Sequence, residues 1–292
     1  MQLIDKNLIA KKRSGRLTLN NAMKWIFFLC TMVGLIVLVT LIVDTLMDAV
    51  GYLNMDFLTN FSSSRVESAG FYGAIIGSLW LMLVTVPVAI FLSVATALYL
   101  EEYAPKNKVT DFIKINISNL AGVPSVVFGL LGLAIFVRAM AMGNSVLAAG
   151  LTLALMILPV IVVSSQEAIR SVPSTVREAS IGMGATKWQT VSRIILPAAI
   201  PGIITGIILA ISRAIGETAP LVVIGVPTTL LVTPDGLLDS FQAMPMQIYA
   251  WIKMPQEEFQ YLAAAGIIVL LAILILMNSV AIFIRNKFSR RY

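Results

Sequence analysis

The chain has 292 residues, 58% of them hydrophobic and only 12% charged, with a mean hydropathy of +0.91 and a net charge of +6. Soluble proteins carry roughly a quarter charged residues, so this apolar content exceeds what one core can hide, and the surplus faces lipid. Histidine is absent and cysteine occurs once, as Cys30, which excludes a His/Cys metal cluster, a Ser-His-Asp triad and an internal disulfide. No Gly-Lys pair is present to build a phosphate loop. The expectation is a membrane protein with no catalytic residue, metal or cofactor of its own.

Six stretches stay apolar for about the 20 helical residues that a bilayer demands: 25–43, 68–100, 115–137, 139–166, 194–212 and 259–284. The fifth continues to residue 226 through two charges, Arg213 and Glu217. Pro87, Pro124 and Pro159 fall inside spans, where neighbouring helices and hydroxyls satisfy the freed carbonyls. The first span carries Cys30 as an apolar filler and lacks a small-residue cleavage pattern, so it reads as a retained anchor and not a signal peptide. The chain divides into a basic tail (1–24), a first transmembrane helix with its outer loop (25–67), a five-helix core (68–284) and a second basic tail (285–292).

Seventeen of the 21 Lys and Arg residues lie in the two tails and in loops 101–114 and 167–193. The opposite loops hold only Arg65, Arg138 and Lys253, with eight acids. The positive-inside rule then predicts six crossings with both termini cytoplasmic. The positive charge belongs to this bias, and no nucleic-acid partner is implied.

The loop over 167–197 is longer than a simple connection. Pro173 suits the first position of a helix, and Val176, Ala179 and Met183 make a narrow apolar face. Gly182 and Gly184 break it. Thr186-Lys-Trp-Gln189 reads as a capping box; Trp188, Val191 and Ile195 form a second stripe, ended by Pro197. Such a pair of short helices either rests on the bilayer surface or docks in a partner's groove.

Arg213 and Glu217, four residues apart, share a helical face. A charge at mid-bilayer costs about 2.5–3.5 kcal/mol on insertion scales, so both face protein or a wet path. They are either a structural ion pair at a subunit interface or part of an anion pathway. In the second case Arg213 offers its planar fork to an oxyanion, Glu217 tempers the affinity and Thr218 adds a hydroxyl. Gly73-x-x-x-Gly77 and Gly202-x-x-x-Gly206 allow close helix approach. Residues 236–253, with Pro245, suit a short outer amphipathic helix or a re-entrant piece. Trp25, Tyr249 and Trp251 fall near expected interfaces.

Four motifs point to a family. Glu178-Ala179-Ser180, followed by Gly184 and then Ile194-Ile195-Leu196-Pro197, resembles the EAA signature of ABC-importer permeases, with Ser180 where a second alanine is usual. Arg213-Ala-Ile-Gly-Glu-Thr-Ala-Pro-Leu221 is similar to the phosphate-specific permeases, and its ending favours the A-type (PstA) subunit over the C-type. Gly122-Val-Pro-Ser-Val-Val-Phe-Gly-Leu130 and Leu100-Glu-Glu-Tyr-Ala-Pro105 resemble the same group.

The resemblance implies an all-α, six-helix permease of type I ABC importer architecture in a bacterial plasma (inner) membrane, importing phosphate without hydrolysing ATP itself. It implies four kinds of partner: a C-type permease, two ATPase subunits, an extracytoplasmic phosphate-binding protein and phosphate as substrate. Glu178, Ala179, Gly184 and Trp188 would belong to the ATPase contact, and Arg213, Glu217 and Thr218 to the pathway. Sulfate, molybdate or tungstate is the alternative cargo, and an ATPase-independent secondary transporter the more distant one.

Overall fold

A computed structural model describes the backbone of residues 6–288 and the side chains of 17–287. Most basic residues of the two tails lie outside the described side chains. In chain order the elements are α1 (Lys6–Ala49), α2 (Met55–Thr59), a 3-10 turn (Val66–Ser68) and α3 (Tyr72–Leu98), which ends in a wide turn (Tyr99–Tyr103). Then come α4 (Lys108–Leu120), α5 (Ser125–Gly132) with a wide extension (Leu133–Ala139), α6 (Val146–Arg170) and α7 (Ser174–Gly182). The chain closes with α8 (Lys187–Thr190), a wide turn (Val191–Ile195), α9 (Leu196–Ile215), α10 (Ala219–Ile224), α11 (Met244–Ile252) and α12 (Glu257–Phe288).

Five helical stretches are long and apolar enough to cross a membrane: Leu17–Ala49, Tyr72–Tyr103, Val146–Arg170, Lys187–Ile215 and Glu257–Lys287. The third expected span, 115–137, is not one helix. It is broken into α4 and α5, bent by 103° at the intervening residues. The cause is local. Pro124 bars the helical region to the residue before it, and Pro124 itself sits outside α5 in an extended conformation (φ −56°, ψ 137°). A count of uncharged residues cannot register that break. Residues 125–139 cover about 22 Å at 1.5 Å per residue, short of a full crossing.

Contacts between helices fix their directions. Thr85 Oγ1 donates to Gly150 O and Ser93 Oγ to Leu158 O. The offset is 65 residues in both, so α3 and α6 run parallel. A Cβ on Gly202 would meet Ala168, and one on Gly206 would meet Ser164; the offset reverses, so α9 is antiparallel to α6, and this glycine pair does bring two helices close. Ser212 Oγ donates to Asn278 Oδ1 at 2.7 Å, and Arg285 reaches Thr205, which makes α12 antiparallel to α9. The first glycine pair serves another purpose: Gly77 admits the non-helical backbone at Gln242, not a helix.

Loops 101–114 and 167–193 therefore share one face of the molecule, and the acid-bearing loops 44–67 and 227–258 share the other. The second pair meet through Ser62 and Leu230 O, and Tyr52 stacks on Tyr261 at the head of α12. The core follows this division. Leu81, Leu153, Ile157, Ile161 and Leu221 fill the middle, and Val162, Ile169, Val191 and Ile195 fill the basic end. Phe57, Phe71, Trp251 and Phe259 fill the acidic end. Trp251, expected as an interfacial ring, is instead 2% exposed in this cluster, carried there by the short buried helix α11.

Candidate functional site

The 167–197 segment folds as a helix, a glycine turn and a second helix. Pro173 is the cap before α7 and not its first residue. α7 ends at Gly182, and Gly184 takes φ +87°, a left-handed conformation that costs other residues about 1–2 kcal/mol. The capping box is present: Thr186 Oγ1 accepts from Gln189 N at 3.3 Å, and Gln189 Oε1 accepts from Thr186 N at 2.9 Å. Pro197 does not end the second helix. The chain runs helical from Lys187 to Ile215, and the wide turn Val191–Ile195, where Leu196 N bonds to Val191 O five residues back, stands directly before the proline and re-spaces the backbone bonds there.

Ser180, the residue that departs from the alanine pattern, is buried, and its hydroxyl hydrogen-bonds Thr190 Oγ1 at 2.9 Å. That bond ties α7 to α8 across the glycine turn. Val176, Ile181, Met183 (82% exposed) and Trp188 remain uncovered, as do Glu178, Ala179 and Gly184. The four residues that the resemblance assigns to a partner contact thus lie on one exposed helix–turn–helix unit, and Glu178 has no ion-pair partner among the described residues.

Arg213 and Glu217 are not on one continuous helix. α9 ends at Ile215, Gly216 follows as its cap, and Thr218 precedes α10 with no side-chain capping bond. The pair straddles this break. Arg213 Nε lies 3.9 Å from Glu217 Oε2, at the outer limit of an ion pair, with side chains 49% and 18% exposed. The Gly202–Ala168 and Gly206–Ser164 contacts, continued along α9, set Arg213 level with residue 157, close to the midpoint of α6. A guanidinium in the last turn of a helix also meets the negative end of the helix dipole. Half-exposed Arg213 is therefore steadied by two weak partners and saturated by neither.

Sequence reading missed the polar contacts between distant elements. Glu101 accepts two hydrogen bonds from Arg170, at 2.9 and 2.8 Å, and pairs with Lys114 at 3.0 Å; Glu102 pairs with Arg177 at 3.1 Å. The adjacent Glu-Glu-Tyr at 101–103 was the only available signal.

Residues 86–292 match the family described as binding-protein-dependent transport system inner membrane component. Among curated proteins, the chain is 38% identical over 195 residues to the probable ABC transporter permease protein YqgI of Bacillus subtilis, covering 67% of this chain and 66% of that one. It is 34% identical to phosphate transport system permease protein PstA 1 of Mycobacterium tuberculosis H37Rv, over 77% of this chain and 72% of that one. With PstA of Yersinia pestis it shares 29% over 280 residues, covering 95% and 92%. Among solved structures, a bacterial importer of the acidic polysaccharide alginate superposes with a TM-score of 0.63 at 15% identity, covering 95% of this chain and all of that one. The inward-facing MetNI methionine transporter gives 0.62 at 16%, covering 75% and 95%. These show the fold, that of a type I ABC importer permease. The family match and the permease relatives together place this chain among the inner-membrane permease subunits of binding-protein-dependent ABC importers.

Proposed function

We propose that the chain is the A-type permease of an ATP-driven phosphate importer, paired with a C-type permease, two ATPase subunits and an extracytoplasmic phosphate-binding protein. The observation that carries the reading is Arg213: a half-exposed guanidinium at mid-height of the helical core, beside a helix break and held by one carboxylate at 3.9 Å. Phosphate presents oxygens that match the arginine fork in paired, charge-assisted hydrogen bonds. Glu217 competes for that fork and repels the anion, so binding stays loose enough for release. Thr218, free of a capping role, supplies a hydroxyl within the same break. The names of the PstA relatives favour phosphate over other oxyanions.

With the basic face cytoplasmic, both termini and the α7–α8 unit lie on the side that holds ATP. Val176, Ile181, Met183 and Trp188 then seat in the ATPase subunit, with Glu178 available to a basic partner residue. α8 and α9 form one helical run of 29 residues, so displacement of Trp188 at its start reaches Arg213 near its end. The acidic loops on the other face repel free anion and leave capture to the binding protein.

The test is uptake of labelled phosphate into proteoliposomes holding the complete complex, with sulfate, molybdate and tungstate as competitors. Uptake that requires both ATP and the binding protein, and that resists the competitors, is the expected result. Transport of a competitor in place of phosphate reassigns the cargo. Uptake without the ATPase subunits overturns the importer reading.

A further inference from the structure

The wide turn that ends α3 gathers one cation from each of four elements. Glu101 holds Lys114 of α4 and Arg170 of α6. Glu102 holds Arg177 of α7, and Tyr103 carries the ammonium of Lys187, at the start of α8, 5.1 Å from its ring centre. Both carboxylate side chains are only 9% exposed, a setting in which removing an ion-pair partner is costly. The backbone explains how neighbours reach opposite ways. Ala104 N bonds to Tyr99 O five residues back, and this widened turn spreads Glu101 and Glu102 toward different helices. Arg177 is fixed a second time, donating to Ile169 O at 2.7 Å, a carbonyl near the end of α6.

The covalent chain joins the α7–α8 unit only to α6 and α9. We propose that Glu101-Glu102-Tyr103 is the positioning element that binds α3 and α4 to that unit, so that the turn and α7 travel as one body during the transport cycle. Glu102 and Arg177 are the decisive pair, because theirs is the ionic contact that crosses from α3 into α7. The inference rests on the reading of 167–197 as the ATPase-coupling segment. It adds a route by which movement of the loop reaches α3 directly and not only through helix packing.

The experiment compares Glu102→Gln, Arg177→Gln, Glu102→Asp and Gly184→Trp in the assembled complex, reading phosphate imported per ATP hydrolysed. For both glutamine variants we expect assembly and hydrolysis to persist, with the ratio falling on the order of tenfold, the scale of ordinary intersite coupling. Glu102→Asp, which keeps the charge, should recover most of the loss. An unchanged ratio in both glutamine variants, while Gly184→Trp disrupts coupling, overturns this inference and leaves the coupling segment standing. If Gly184→Trp is also silent, both fail.

A second measurement looks for recovery of function. In a Cys30→Ser background, Glu102→Cys and Arg177→Cys are bridged by a short bis-maleimide. The unbridged pair lacks the ionic contact and should start from the lowered ratio; a ratio that rises on complete bridging supports movement as one body, and transport arrested by the bridge overturns it.

Discussion

The chain holds its charges in two contrasting ways. At the basic face, Glu101 receives three contacts from two cations between 2.8 and 3.0 Å, and hydrogen bonds brace the loop nearby. At mid-height, Arg213 and Glu217 stand 3.9 Å apart across a helix break, with Arg213 half open. A carboxylate as covered as Glu101 and held by two cations is costly to separate from them, which suits a joint that must carry force. A cation left partly unsatisfied in a low-dielectric setting attracts an anion strongly, which suits a stop on a path. The first site is built to stay closed, and the second to exchange partners.

The largest effect that sharpens this contrast is expected from Gly184→Trp. No atom lies within 4 Å of a Cβ at that position, so the added side chain starts out in open space. The backbone cost of leaving glycine at φ +87° is about 1–2 kcal/mol, too little to unfold a helical core. Loss of ATPase co-purification or of stimulated hydrolysis, with the isolated permease intact, is the predicted outcome. A coupled complex indistinguishable from wild type would break the contrast at the loop.

A smaller effect is expected from Ser180→Ala. It removes the bond to Thr190 and restores the residue usual in the resembled signature. The loss is about 1 kcal/mol, read as a modest drop in Tm of the purified complex with transport per ATP retained. No change in Tm would mean that the Ser180–Thr190 bond contributes nothing to bracing the loop.

What could be read without coordinates was local or compositional. The crossings follow from apolar excess, and the Thr186–Gln189 capping box depends on residues three apart. The Lys/Arg bias sorted the loops into two groups that do share faces. Among the local readings that failed, three did so because a neighbouring feature took over. Pro124 lies at a break that a run of uncharged residues conceals. Pro197 follows directly on the wide turn Val191–Ile195, and the helical run continues through it. Trp251 is drawn inward by the aromatic cluster around Phe71. Glu102 and Arg177 are 75 residues apart, and no periodicity tells a carboxylate which distant cation it will meet. The Arg213–Glu217 spacing was legible, but the break between them was marked only by Gly216 and by Pro220 in the first turn of α10.

The role proposed for Arg213 is to bind the travelling anion. It is tested most directly by binding-protein-dependent phosphate uptake with Arg213→Ala, alongside Arg213→Lys, in complexes verified as assembled. The account predicts uptake lost by about a hundredfold or more in the alanine variant, an arginine–oxyanion contact of a few kcal/mol. The lysine variant should retain partial uptake, since it keeps the charge without the fork. Uptake by Arg213→Ala at the wild-type rate would contradict the account and leave the pair as a structural contact across the break between α9 and α10.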